Sequence, residues 1–192
     1  VNAKEAIEKY YKNKGFLDAT VKVEEIPDTS RLNSVALVFD IYKGKRVKIK
    51  DIVFNNNENV KDKKLRKQLS KTKPKRRLFA SSKFLRKEYT EDKKKVIDYY
   101  NKIGFRDARI LSDSIWRNED GELMIAINME EGDRYYFRNI TWKGNSIYDT
   151  PTLQNILGIS KGDVYNQELL NTRLRFSQDG RDVSTQYLDN GY

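Results

Sequence analysis

The chain contains no cysteine and no histidine among its 192 residues. Those absences remove the side chains most used for thiol nucleophiles, for proton transfer near neutral pH and for transition-metal ligation, and they argue against an enzyme. Long apolar runs are also lacking. No run exceeds that of Val35 to Phe39, which is far short of the roughly 20 residues a membrane-spanning helix needs. No glycine-rich phosphate loop is present, and no signal-peptide pattern opens the chain. The acidic pairs Glu24-Glu25, Glu119-Asp120 and Glu130-Glu131 stand in turn-like or charged surroundings, which reads as solvated charge rather than paired catalytic carboxylates. No cofactor, metal site or catalytic residue is expected. The chain starts on Val1 rather than Met, inside a stretch with Ala6, Ile7, Tyr10 and Tyr11 at helical spacing, which reads as a piece of a longer protein.

What is present is a repeated mark. A helical stretch ends on tyrosine, three residues, glycine and an aromatic at Tyr11 to Gly15-Phe16, Tyr100 to Gly104-Phe105 and Tyr187 to Gly191-Tyr192. The glycines are separated by 89 and 87 residues, a step that suits a string of small domains rather than a solenoid. Helices commonly stop with glycine at C′ in the left-handed conformation, and the next residue folds back on C3, five positions earlier. That count pairs Tyr11 with Phe16, Tyr100 with Phe105 and Tyr187 with Tyr192. These nine positions read as structural helix stops.

The formal net charge is +10, but its distribution matters more than its total. Between Lys61 and Lys87 there are 13 basic residues and one acid, Asp62, giving +12 locally and −2 for the rest. The centre of the segment carries Lys71, Lys73, Lys75, Arg76 and Arg77. Three readings fit: a solvated helix face with Leu65 and Leu69 turned inward, contact with anionic phospholipid or an acidic partner, or phosphate binding on nucleic acid. The last is the least favoured, since only Phe79 and Phe84 are nearby to stack on bases.

Periodicity orders the remaining elements. Thr20 to Ile26 and Val35 to Ile41 alternate as two strands around a turn, and Val47 to Phe54 is a further strand before Asn55-Asn56-Asn57. Ile110 to Trp116 and Leu123 to Met129 repeat the hairpin, and Phe137 to Trp142 reads as the opening strand of another copy. Asp18-Ala19 recurs as Asp107-Ala108, and Gly44, Arg46, Ile52, Asn57, Leu65 and Leu69 recur 88 residues later. Aligning Tyr89 with Tyr165 places a 12-residue insertion at the basic segment of the middle copy. The last copy then has a longer second helix carrying Leu169, Leu170 and Leu174 before Val183 and Tyr187. The expected fold class is α+β, a tandem of β-α-α-β-β modules: the end of one over 1–46, a complete one over 47–134 and the start of a third over 135–192.

The order of elements, the helix end Tyr99-Tyr100-Asn101-Lys102-Ile103-Gly104-Phe105 with Asp107-Ala108, and the turn Glu131-Gly132-Asp133-Arg134-Tyr135 leading into Phe137-Arg138-Asn139-Ile140 resemble polypeptide-transport-associated (POTRA) domains. The likeness is greatest to those of the BamA family of outer-membrane assembly factors in lysine-rich, Bacteroidetes-type versions. The resemblance implies a three-stranded mixed sheet covered on one face by two helices. It also implies a tandem array at the periplasmic face of the outer membrane of a Gram-negative bacterium, continuous with a C-terminal β-barrel. Its partners would be nascent outer-membrane proteins and the accessory lipoproteins of the assembly complex. In that family the strand after the second helix is the exposed edge, and an edge can accept an extended client strand through backbone hydrogen bonds. The corresponding contact residues are Thr20, Val21, Lys22 and Val23 in one copy and Arg109, Ile110, Leu111 and Asp113 in the next. Nothing about the basic segment carries over from the resemblance; its partner would be a lipid surface or an acidic protein.

The rival reading is an RNA-binding module, since K-homology domains also combine paired helices with a three-stranded sheet. Those clamp the backbone with a Gly-x-x-Gly loop, and the sequence contains none.

Overall fold

The computed structural model describes residues 2–75, 83–175 and 177–191. Arg76, Arg77, Phe79 and Tyr192, all singled out above, lie outside the described residues. Helix α1 (Asn2–Asn13) leads into a hairpin of β1 (Thr20–Pro27) and β2 (Val35–Tyr42). Then follow β3 (Ile49–Asn55), α2 (Asp62–Gln68), α3 (Arg86–Lys102), β4 (Arg109–Arg117) and β5 (Leu123–Glu130). Helices α4 (Thr150–Leu157), α5 (Gln167–Arg175) and α6 (Val183–Leu188) complete the chain. The fold class is α+β, with the order β-α-α-β-β complete in the middle.

The hairpin is antiparallel, running from Thr20 opposite Tyr42 to Pro27 opposite Val35. Its turn is organised by Asp28, whose carboxylate accepts from Ser30 N at 2.8 Å and Ser30 Oγ at 2.6 Å. The larger sheet has the order β3-β5-β4. Leu123 N–H donates to Lys48 O at one end of the β3-β5 pair, and Asn55 pairs with Asn128 at the other, so those strands run parallel. Asn118 N–H donates to Glu122 O across the turn joining β4 to β5, and that pair is antiparallel. The sheet is mixed. Along β5, Leu123, Ile125, Ile127 and Met129 are buried while the residues between them are more exposed, the alternation of a strand with one covered face.

The chain divides into two compact units. One comprises Val1–Phe54, Asp62–Lys94 and Asp113–Ile127; its core holds Val21, Ile49, Ile52, Leu65, Leu69, Ile125 and Ile127. The other comprises Asn55–Lys61, Lys95–Ser112 and Asn128–Tyr192; Val96, Tyr100, Met129, Leu153, Leu157 and Ile159 are buried within it.

Three expectations are corrected in the last third of the chain. Phe137 to Trp142 is not a strand. Phe137 N–H donates to Asp163 O and its carbonyl accepts from Gly162 N–H, so a loop takes the backbone groups a neighbouring strand would need. The single long helix is two helices, because Gly180 adopts φ +68° and Asp182 caps α6 by accepting from Thr185 N at 2.9 Å. The alignment of Tyr89 with Tyr165 is also shifted. Isolated antiparallel bridges join Lys48 to Lys83 and Tyr136 to Val164, which makes Phe84 the counterpart of Tyr165. The spacing from Leu69 to Phe84 is 15 residues against 8 from Leu157 to Tyr165, so the middle module carries an insertion of 7.

Candidate functional site

Strand β4 is an edge of the three-stranded sheet. Its residues alternate between half-buried and exposed, with Leu111 56% and Trp116 45% exposed. Arg109 is exposed but engaged, its guanidinium binding both carboxylate oxygens of Glu130 at 2.8 and 2.9 Å. Ile110 is half-buried. Asp113 accepts from Lys93 Nζ of α3 at 2.7 Å, so it ties the strand to its helix rather than offering a contact. Burial, reinforced by the neighbouring Asp113 carboxylate, pushes the Tyr89 phenol far above its ordinary pKa. Among the described residues, no side chain bonds to a backbone amide of β4.

The edges of β1 and β3 differ. Strand β1 exposes Thr20 and Lys22, buries Val21 and leaves Val23 40% exposed. The Val21 amide, however, is taken by Glu8 Oε1 of α1 at 3.2 Å. That hydrogen bond, aided by Lys12, holds the Glu8 carboxyl below the usual range. Strand β3 is met at its start by Lys75 N–H, which donates to Ile49 O at 2.9 Å, next to the Lys48–Lys83 bridge. Of the three edges named, β4 is the open one.

The helix stops take the following form. Gly15 has φ +90° and Phe16 N–H donates to Tyr11 O at 3.1 Å; the two rings meet edge-on with centroids 6.2 Å apart. Gly104 has φ +98°, Phe105 N–H donates to Tyr100 O at 3.0 Å, and the rings are 5.8 Å apart at 90°. Gly191 has φ +81°, and Tyr187 packs on Tyr148 at 5.1 Å. The first two glycines do more than stop helices. Gly15 O accepts Val47 N–H at 3.1 Å, and Gly104 O accepts Tyr135 N–H at 2.8 Å, so each receives the chain entering the next module.

Sequence reasoning missed three carboxylates. Glu131 accepts from Asn59 N at 2.8 Å, Val60 N at 3.2 Å and Tyr100 OH at 2.7 Å. Buried Asp92 accepts from Ser70 Oγ at 3.0 Å, Lys71 N at 2.8 Å and Thr72 N at 2.6 Å. A cue existed for Asp92: it falls at helical spacing on the stripe Tyr89, Val96, Tyr100, where a carboxylate must be hydrogen-bonded. For Glu8 no local pattern marks a partner 13 residues away. Lys71, Lys73 and Lys75 stand exposed on the segment that Asp92 pins. Among the described residues no cluster of three or more acidic side chains could hold a metal ion, and no helix is long and apolar enough to cross a membrane.

The POTRA family profile, described as surface antigen variable number repeat, matches residues 2–44, 47–132 and 135–192. The chain belongs to the POTRA family. The array is 30% identical over 155 residues to the outer membrane protein assembly factor BamA of Neisseria meningitidis serogroup B, covering 77% of this chain and 19% of that protein. It is 24% identical over 193 residues to a candidate outer membrane protein assembly factor of Treponema pallidum (strain Nichols), covering 98% of this chain and 22% of that one. The crystal structure of Haemophilus influenzae BamA POTRA3-5 is similar at a TM-score of 0.48 and 18% identity, over 87% of this chain and 63% of that one. The POTRA chain spans about a fifth of the length of the curated relatives it matches.

Proposed function

We propose that the chain is the periplasmic scaffold region of an outer-membrane protein insertion machine, with modules over 1–46, 47–134 and 135–192 acting as one array. Nascent β-barrel proteins bind by adding a strand to an exposed sheet edge, and accessory lipoproteins dock on the same array, which is joined to a C-terminal barrel in its parent. The role is scaffolding rather than catalysis. Membership in the POTRA family and the assembly-factor relatives support the setting.

The observation that carries the mechanism is the open edge of β4. An edge strand presents unpaired amides and carbonyls, and an incoming extended segment satisfies them whatever its side chains are. Leu111 and Trp116 beside those groups supply apolar contact for the alternating side chains of a barrel strand. The test places photo-crosslinkers singly at Leu111, Ser114 and Lys22, with Thr90 on the exposed side of α3 as the control. The probe is a synthetic peptide of about ten residues with barrel-like alternation. Capture at Leu111 and Ser114 severalfold above Thr90 is the expected result. Equal capture at all positions sinks strand addition at β4.

A further inference from the structure

Five lysines of the middle module share one feature: Lys63, Lys64 and Lys67 on α2, and Lys71 and Lys73 just after it, are all exposed and make no ion pair among the described residues. The acids nearby are committed elsewhere. Asp51 and Asp62 pair with Arg66 at 3.7 and 3.3 Å, and Glu122 pairs with Lys50 at 3.3 Å and Lys75 at 3.8 Å. Asp92 spends its carboxylate on the backbone amides of Lys71 and Thr72 and on the Ser70 hydroxyl. The ground beneath the lysines is therefore fixed by main-chain bonds while their ammonium groups point into water. Leu65 and Leu69, buried below, hold the other side of this segment.

We infer that this face is a docking surface for anionic phospholipid headgroups. The chemistry selects that partner in two ways. The five cations of this face are all lysine, compact charges on flexible stems that suit a diffuse negative surface, whereas Arg66, with the fork needed for bidentate recognition, is turned inward to its aspartates. Residues 61–75 contain no aromatic side chain, so the stacking platform that single-stranded nucleic acid binding uses is missing. The proposed scaffold role supplies a membrane nearby, but the lipid contact does not depend on client binding at β4. Failure of one leaves the other standing.

The experiment is flotation of the 192-residue chain with vesicles of phosphatidylcholine containing about a third phosphatidylglycerol, with phosphatidylcholine alone as the neutral arm. Binding to the anionic vesicles only, fading between about 0.05 and 0.5 M salt, is expected. Replacing Lys63, Lys64, Lys67, Lys71 and Lys73 together by glutamine weakens it about tenfold or more. Replacing the same five by arginine preserves it. The control changes Lys4, Lys9, Lys45, Lys143 and Lys161, all exposed, to glutamine and removes equal charge elsewhere. Equal losses in the patch and control variants, or tighter binding to oligouridylate than to anionic vesicles at about 0.15 M salt, overturn the inference.

Discussion

At Gly104 two demands meet on one residue. The backbone sits at φ +98°, where a side chain costs on the order of 1–3 kcal/mol, and a Cβ there would lie 2.8 Å from Val164 Cγ1 and 3.1 Å from Tyr135 O. Gly121 isolates the first demand, because at φ +73° its Cβ would meet nothing within 4 Å. Gly104→Ala is therefore expected to destabilise by about 2 kcal/mol or more and Gly121→Ala by about 1 kcal/mol. Amide exchange separates them: the Tyr135 amide, bonded to Gly104 O, loses protection in the first variant and keeps it in the second. Glu8 is the other residue whose role is read from a single bond. Its hold on the Val21 amide blunts the β1 edge as native edges are commonly blunted. Glu8→Ala should raise peptide capture by a crosslinker at Lys22 toward the level seen at Leu111; unchanged capture would mean that Glu8 does not guard the edge.

Elements differ in how legible they were. Strand β5 was plain because Leu123, Ile125, Ile127 and Met129 alternate without a break, and the same burial makes it sensitive: Ile125→Ala at a fully buried site should cost about 2–5 kcal/mol, seen as a lower urea midpoint. The two helices α5 and α6 were read as one because leucines at helical spacing outweighed the Asp179-Gly180 turn signal between them. Phe137 to Trp142 has strand-like residues, but β-propensity expresses a fit to neighbouring strands, and loop groups hold its start. The edge strands were placed by periodicity; which edge is open was not, since Glu8, Lys75 and Lys83 reach β1 and β3 across sequence separations that carry no local signal. Capping is where pH enters. Hydrogen bonds from Thr152 to Asp149 and from Thr185 to Asp182 hold both carboxyls below their ordinary range. A depressed folded-state pKa adds stability that is complete above the ordinary carboxylate range and is lost as pH falls through the folded value. Acidification below about pH 4 should thus lower the amide protection factors at Thr152 and Thr185 before that at Ile125; simultaneous loss would point to global acid unfolding.

At the scale of the whole molecule, backbone hydrogen bonds hold the places where one module joins the next. In the second junction Tyr135 is held from both sides: its N–H donates to Gly104 O and its carbonyl accepts from Tyr165 N–H at 3.0 Å. Arg134 adds Nε to Ile103 O at 2.9 Å. The first junction repeats the pattern with Val47 on Gly15 O and Arg117 on Asp18 at 2.7 Å. Both sets of bonds fall inside compact units, and the division between units passes through α3, β4 and β5 instead. Tandem domains usually expose their linkers to proteases; here Arg46 and Arg134 are exposed but adjoin backbone bonded to the preceding helix stop, whereas Arg31 lies in the β1-β2 turn. Brief trypsin treatment should cut after Arg31 well before Arg46 or Arg134. Early fragments ending at Arg46 or Arg134 would show that the junction bonds open readily.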